Sequence, residues 1–391
     1  MRGFSRRRFL YTAGAAAAAS ATPAAQRAFV APPAARASSK GNAMNGTEAM
    51  EDALSLLAPT GPEYAGRLAN HGPMAAQALV ALERPDAVVP WVETYKKRLH
   101  AHPEGNRPIA PTGWREALGD NDRVGDWIVL SRRELEERPW KVVLAEWTAR
   151  LSPGVVAAAF HGAIRTAHAV RSLEAQETPA RARELAEGLG YWAATYNALP
   201  ESATPAKPPA GKKPSAVIAS VPILPKEKQI SYGNITDRLT PLDTFPPFAG
   251  VADAVDPSGD TSAFMSDLTE TFATVYLASA TRGTVITFLH GVTGPAAVRT
   301  LLPYVSPDEQ RRLLRYTWQA CASFSSSAGG KTAPVPAPET QLPSREELTD
   351  RAIATGDEHS IKFTEACFRE HALNPKPVYI LAAMDGVSRL G

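Results

Sequence analysis

Cysteine is almost missing from this chain: Cys321 and Cys367 are the only two in 391 residues. Without a CxxC spacing they exclude a zinc cluster or a dithiol redox motif, and leave at most one disulfide in an oxidising compartment. No GxGxxG turn follows a strand and no GxxxxGK loop precedes Ser or Thr, which excludes a conventional dinucleotide or nucleotide domain. Carboxylates are scarce in the apolar stretches that carry histidine, so no pair is placed for glycoside hydrolysis, and there is no serine nucleophile elbow. The formal charge of +2 has no basic stripe behind it beyond the extreme N-terminus, so nothing points to nucleic acid or an acidic membrane surface. After that N-terminal segment no run of about twenty apolar residues suggests a membrane span.

What is present begins with the N-terminus. Ser5-Arg-Arg-Arg-Phe-Leu10 matches the twin-arginine export pattern and runs into an alanine-rich, mildly apolar segment with an Ala19-Ser-Ala21 cleavage option. Residues 1–46 are therefore expected to be a twin-arginine signal followed by a disordered stretch rich in Ala, Pro and Ser. The expected partner is the twin-arginine export machinery, and the expected location is periplasmic or extracellular. That route carries folded proteins, which fits a metal loaded before export.

The remainder predicts an all-α fold, a single multi-helix domain over 47–391 with Pro- and Ala-rich insertions at 202–228 and 328–344. Apolar residues recur at three- and four-residue spacing over Thr47–Leu57, Pro73–Leu82, Pro90–Leu99, Asp120–Glu136, Pro139–Arg150, Pro153–Glu174 and Pro179–Leu199. Ser266–Ala280, Gly283–Val292, the pair within Arg345–Leu373 and a tail helix complete the set. Gly283–Val292 is rich in β-branched residues and reads as strand or buried helix, with helical neighbours favouring helix.

Four histidines lie in apolar stretches far apart in the chain: His71, His161, His290 and His359. A buried imidazole needs a partner for each ring nitrogen, so several on core-facing positions suggest a shared one, most economically a metal ion. Gly72, Gly162 and Gly291 follow three of them and would let a substrate, an ion or a second helix approach the backbone. His161 and His168 are seven residues apart, about 10 Å of helix rise, so only one is expected to ligate, and His161 is the choice. Its neighbour His168 is left to orient a ligand or contact substrate. Lys362 shares a helical face with His359; it reads either as an ion pair with Glu365 or Asp357, or as a carbamylated lysine offering oxygen to a metal. His100, His102 and His371 are expected to face solvent.

These residues carry a resemblance. Leu68-Ala-Asn-His-Gly-Pro-Met74, Trp91-Val-Glu-Thr-Tyr95, His161-Gly-Ala-Ile-Arg-Thr-Ala-His168, Leu289-His-Gly-Val-Thr293 with Arg299-Thr-Leu-Leu-Pro303, and His359-Ser-Ile-Lys-Phe-Thr-Glu-Ala366 together resemble the questin oxidase-like family. The resemblance implies an oxidoreductase that uses O2 on an aromatic or polyketide-like small molecule, in fungal relatives a Baeyer–Villiger-like ring opening. It implies non-haem iron held by His71, His161, His290 and His359 with carbamylated Lys362, and NADPH in some members. Where the fungal pattern has a further histidine shortly after the His161 equivalent this chain has Arg165, with His168 as the natural substitute; His168 and Arg165 are the candidate catalytic residues. Tyr64, Phe160, Phe288 and Phe363 are expected to form an aromatic wall. Two other readings are a non-catalytic helical binding protein and an NADPH- or flavin-dependent monooxygenase without metal.

Overall fold

The computed structural model describes residues 45–204, 210–335 and 341–391, so the expected export signal lies outside the described residues. Helices account for nearly all regular structure, and capping explains where they start. Asn45, Thr178, Asp260, Ser306 and Ser344 each accept a hydrogen bond from a first-turn backbone N–H. Proline occupies the first turn of several others, where its missing N–H costs nothing.

In chain order the α-helices are α1 (Gly46–Leu57), α2 (Gly72–Ala81), α3 (Pro85–Tyr95), α4 (Trp114–Ala117), α5 (Val124–Glu137), α6 (Trp140–Leu151), α7 (His161–Ala175) and α8 (Pro179–Ala194). Then follow α9 (Pro214–Val217), α10 (Ile235–Leu239), α11 (Thr261–Ser279), α12 (Val285–Leu301), α13 (Pro307–Ala328), α14 (Arg345–Ala354), α15 (Glu358–Leu373) and α16 (Pro377–Leu390). Among the described residues the one sheet is an antiparallel pair, β1 (Glu63–Tyr64) with β2 (Leu68–Ala69). The all-α expectation holds, and Gly283–Val292 is helix rather than strand, the opening of α12.

Four helices close a ring: α2 packs on α7, α7 on α12, α12 on α15, and α15 back on α2. Around it, α1 and α3 cover α2, α8 backs α7 and α5 packs behind α8, α11 and α13 flank α12, and α14 and α16 cover α15. The helix over Val285–Tyr304 is long and apolar enough to cross a membrane, contrary to the expected absence of such a run, yet 83% of that apolar window is buried inside the fold. Its composition is that of a central core helix.

Two sequence expectations change. The helix expected from Pro153 begins only at His161, because a short 3-10 turn (Ser152–Gly154) is followed by Ala158, Ala159 and Phe160 at φ 46°, 57° and 69°. Three successive left-handed non-glycine residues cost about 1–2 kcal/mol each, so packing overrides the helix propensity of alanine there. The 202–228 stretch is not a free linker along its whole length: Ile218, Val221 and Leu224 are buried, and the Leu224 N–H donates to the Ser326 carbonyl at 2.9 Å. Cys321 and Cys367 are buried free thiols.

Candidate metal centre and its cavity

Each helix of the central ring brings one histidine to the same end. His71 is the N-cap of α2, His161 opens α7, His359 is the second residue of α15, and His290 lies in the second turn of α12. The Nε2 atoms of His71 and His161 are 2.7 Å apart and those of His161 and His290 3.2 Å. Ligand atoms of His71, His161 and His359 all fall within 4.8 Å of one another. The His359 ring centroid is 4.6 Å from that of His71 and 5.7 Å from that of His290. The structure thus brings together all four histidines singled out from the sequence.

Local structure sets the orientation of each ring. The left-handed turn at 158–160 aims the Ala158 carbonyl at His161 Nδ1, 2.5 Å away, and the Ile286 carbonyl receives His290 Nδ1 at 2.6 Å. A carbonyl only accepts, so both Nδ1 atoms carry hydrogen. Burial, then repulsion from neighbouring imidazoles and Lys362, holds His161 and His290 well below the ordinary histidine pKa, hence neutral. Their Nε2 atoms are therefore bare lone pairs facing each other, an arrangement that a shared cation satisfies. His71 is likewise neutral, through burial first and the Lys362 charge second. This donor set of neutral imidazoles fits a divalent transition metal.

The groups behind the imidazoles are equally specific. Tyr95 accepts the His71 backbone N–H at 2.8 Å, and its hydroxyl stands 3.5 Å from His71 Nδ1. Glu358 Oε1 lies 3.8 Å from the same nitrogen and 3.5 Å from the Tyr64 hydroxyl, while its Oε2 pairs with Arg98 at 3.4 Å. Asp357 caps α15 by accepting the His359 and Ser360 N–H groups. Sequence reading missed Glu358, Tyr95 and Arg98; a carboxylate directly before His359 was the available signal.

Lys362 is 3% exposed, and burial lowers its pKa to about 7 against the opposing pull of Glu358 and Asp357. Of its two expected carboxylate partners, Glu365 is taken by Arg171 at 2.7 Å and Arg369 at 3.3 Å, and Asp357 by the α15 cap. The Lys362 charge acts on His71, His161, His290 and His168 alike.

A cavity of about 1230 Å³ opens onto this end, lined by His71, His161, His290 and His359 and by Tyr64, Tyr191 and Tyr196 among others. Arg165 and His168 do not line it. Arg165 turns to α8, where it forms a bidentate pair with Glu184 at 2.6 and 2.9 Å, and His168 Nδ1 contacts Gln77 Oε1 at 2.7 Å inside the core. Of the expected aromatic wall only Tyr64 reaches the cavity. Phe160 packs on Phe324, Phe363 on Tyr276, and Phe288 is buried, since apolar rings gain more from the dry core. Gly162 admits a second helix: a Cβ there would lie 2.6 Å from the Trp192 Cα. His102 is not free in solvent either, pairing with the buried Glu187 at 2.8 Å.

A family model described as questin oxidase-like matches residues 81–367, and no curated protein matches the chain. That span covers most of the chain, which belongs to the questin oxidase-like family. It includes His161, His290, His359 and Lys362 but begins after His71, whose place at the centre comes from the fold itself.

Proposed function

We propose that this member of the questin oxidase-like family is a metal-dependent oxidoreductase, an oxygenase that uses O2 on an aromatic or polyketide-like small molecule. Family membership supports the oxidoreductase class, and the facing bare nitrogens of His161 and His290 are the observation that carries the metal. Iron is the proposed ion, with His71, His161, His290 and His359 as its holders and a carbamate on Lys362 as the anionic donor. A bound iron would supply electron transfer between O2 and an electron-rich aromatic oxygen held beside it.

The chain's own residues do the rest. Carbonyls of Ala158 and Ile286 hold two rings in one tautomer, so the site is ordered before anything binds. The helix N-termini of α2, α7 and α15 meet at the floor, and their partial positive charge favours an anionic oxygen there. Tyr64 and Arg98 stand in the cavity wall with donors that can orient a hydroxyl or carbonyl of the substrate. Lys362, with its charged form disfavoured, has a neutral amine able to add carbon dioxide, forming an N–C bond and releasing one proton.

Full-length protein tests this reading by elemental analysis and by O2 uptake with a hydroxylated anthraquinone. The expected result is close to one equivalent of transition metal, lost in His290→Ala and in His359→Ala together with O2 uptake. Less than about a tenth of an equivalent in the wild type overturns it.

A further inference from the structure

We infer that the substrate is an aromatic acid, whose carboxylate is received by the guanidinium groups of Arg67 and Arg238 in the lining of the cavity while its ring system lies toward the imidazoles. This deepens the proposed function and rests on its locating the reaction in this cavity. The first ground is an imbalance between donors and acceptors in the lining. The acids there are already committed: Glu63 accepts from Asn121 at 2.9 Å and Tyr191 at 3.1 Å, Asp237 accepts the Asn234 N–H at 2.9 Å, and Asp357 caps α15. Of the five arginines in the lining, Arg67 and Arg238 are not. Arg67 has only a 3.9 Å pair with Asp122, both side chains mostly exposed, which holds little in water. Arg238 donates Nη1 to the Gly283 carbonyl at 3.0 Å, while its Nε is buried with no acceptor. The one acceptor Arg238 has is a neutral carbonyl, so among the described residues no carboxylate neutralises its charge, and a ligand carboxylate at its Nη atoms would.

The second ground is backbone geometry. Arg67 sits at φ 67° in the turn between β1 and β2, a conformation that non-glycine residues adopt rarely and that clusters at ligand sites. That turn leads through β2 and Asn70 to His71, so the same short segment supplies a guanidinium and an imidazole to the cavity lining. The third ground is shape and surface. Leu68, 44% exposed, with Tyr191, Tyr196, Val285 and Ile286 gives the cavity an apolar body, and about 1230 Å³ accommodates several fused rings. An apolar body with two forked cationic donors in its lining is complementary to a flat aromatic carboxylate.

Isothermal titration with 2-naphthoate and with the neutral, equally shaped 2-naphthamide tests this, using wild type, Arg67→Gln, Arg238→Gln and the double variant, each metal-loaded and chelator-treated. The expected result is 2-naphthoate binding about tenfold or more tighter than 2-naphthamide, the preference falling in each single variant, vanishing in the double variant, and surviving metal removal. Equal affinity for the two probes, binding of neither, or a preference untouched by both substitutions overturns the inference. So does a preference that disappears with the metal, because the carboxylate would then sit on the ion. A wild type that prefers the acid but purifies without metal contradicts the proposed function and leaves the anion site standing.

Discussion

His161 and His290 point their Nε2 atoms at each other across 3.2 Å while each gives its Nδ1 hydrogen to a main-chain carbonyl. Neither ring can donate to the other, a contact that a positive charge between or beside the two nitrogens would relieve. An ion bound there would link folding to ion binding.

Chelation should then destabilise the protein. At a free metal concentration one hundred times the dissociation constant, binding contributes about 2.7 kcal/mol. Thermal unfolding is expected at a lower temperature after chelator treatment, with recovery on adding iron(II) and no response in the His161→Ala, His290→Ala double variant.

Gly162→Ala is expected to cost about 1–3 kcal/mol, because the new methyl would meet the Trp192 backbone at 2.6 Å and backbone cannot rotate away. The shift would also move His161, so metal content should fall with stability. Urea unfolding with parallel elemental analysis measures both.

Glu365 gives a pH signature. Although burial opposes it, the Arg171 and Arg369 guanidinium groups hold its carboxyl down at about 2. A carboxyl whose pKa is depressed by folding contributes stability that is full above its unfolded value, near 4.5, and is lost as pH falls toward about 2. Glu365→Gln should therefore be about 3 kcal/mol less stable than wild type at pH 7, with the gap closing between pH about 4.5 and about 2. Urea denaturation across that range reads it; a gap independent of pH would contradict it.

Lys362→Ala should lose metal and regain part of it in high acetate, since a free carboxylate can stand in for the missing oxygen donor. Carbon-13 NMR of wild type equilibrated with labelled bicarbonate should show a carbonyl signal absent from the variant. Retention of metal by Lys362→Ala without acetate would remove the carbamate from the account.

Much of this was readable in the chain and some was not, for identifiable reasons. Helix existence followed from apolar spacing and caps, and the four histidines stood out because imidazoles in apolar stretches need partners. Helix onset at His161 was invisible, because Val155-Val-Ala-Ala-Ala159 has nothing that marks a left-handed turn and alanine favours helix. Facing was equally hidden: periodicity places Phe160, Phe288 and Phe363 on helices but cannot say which side meets a neighbour. Arg165 looked available for chemistry because Glu184, its partner, lies nineteen residues on in the next helix. Glu358 was overlooked because its role depends on Arg98 and Tyr64, supplied from distant segments.

The most direct measurement is an anomalous difference map from crystals of the full-length protein, collected at the iron edge. A single peak bounded by the Nε2 atoms of His161 and His290, with His71 and His359 also in coordination range, is the predicted result. Crystals grown from protein supplied with iron, in which those two nitrogens remain 3.2 Å apart with no peak near them, would contradict the account.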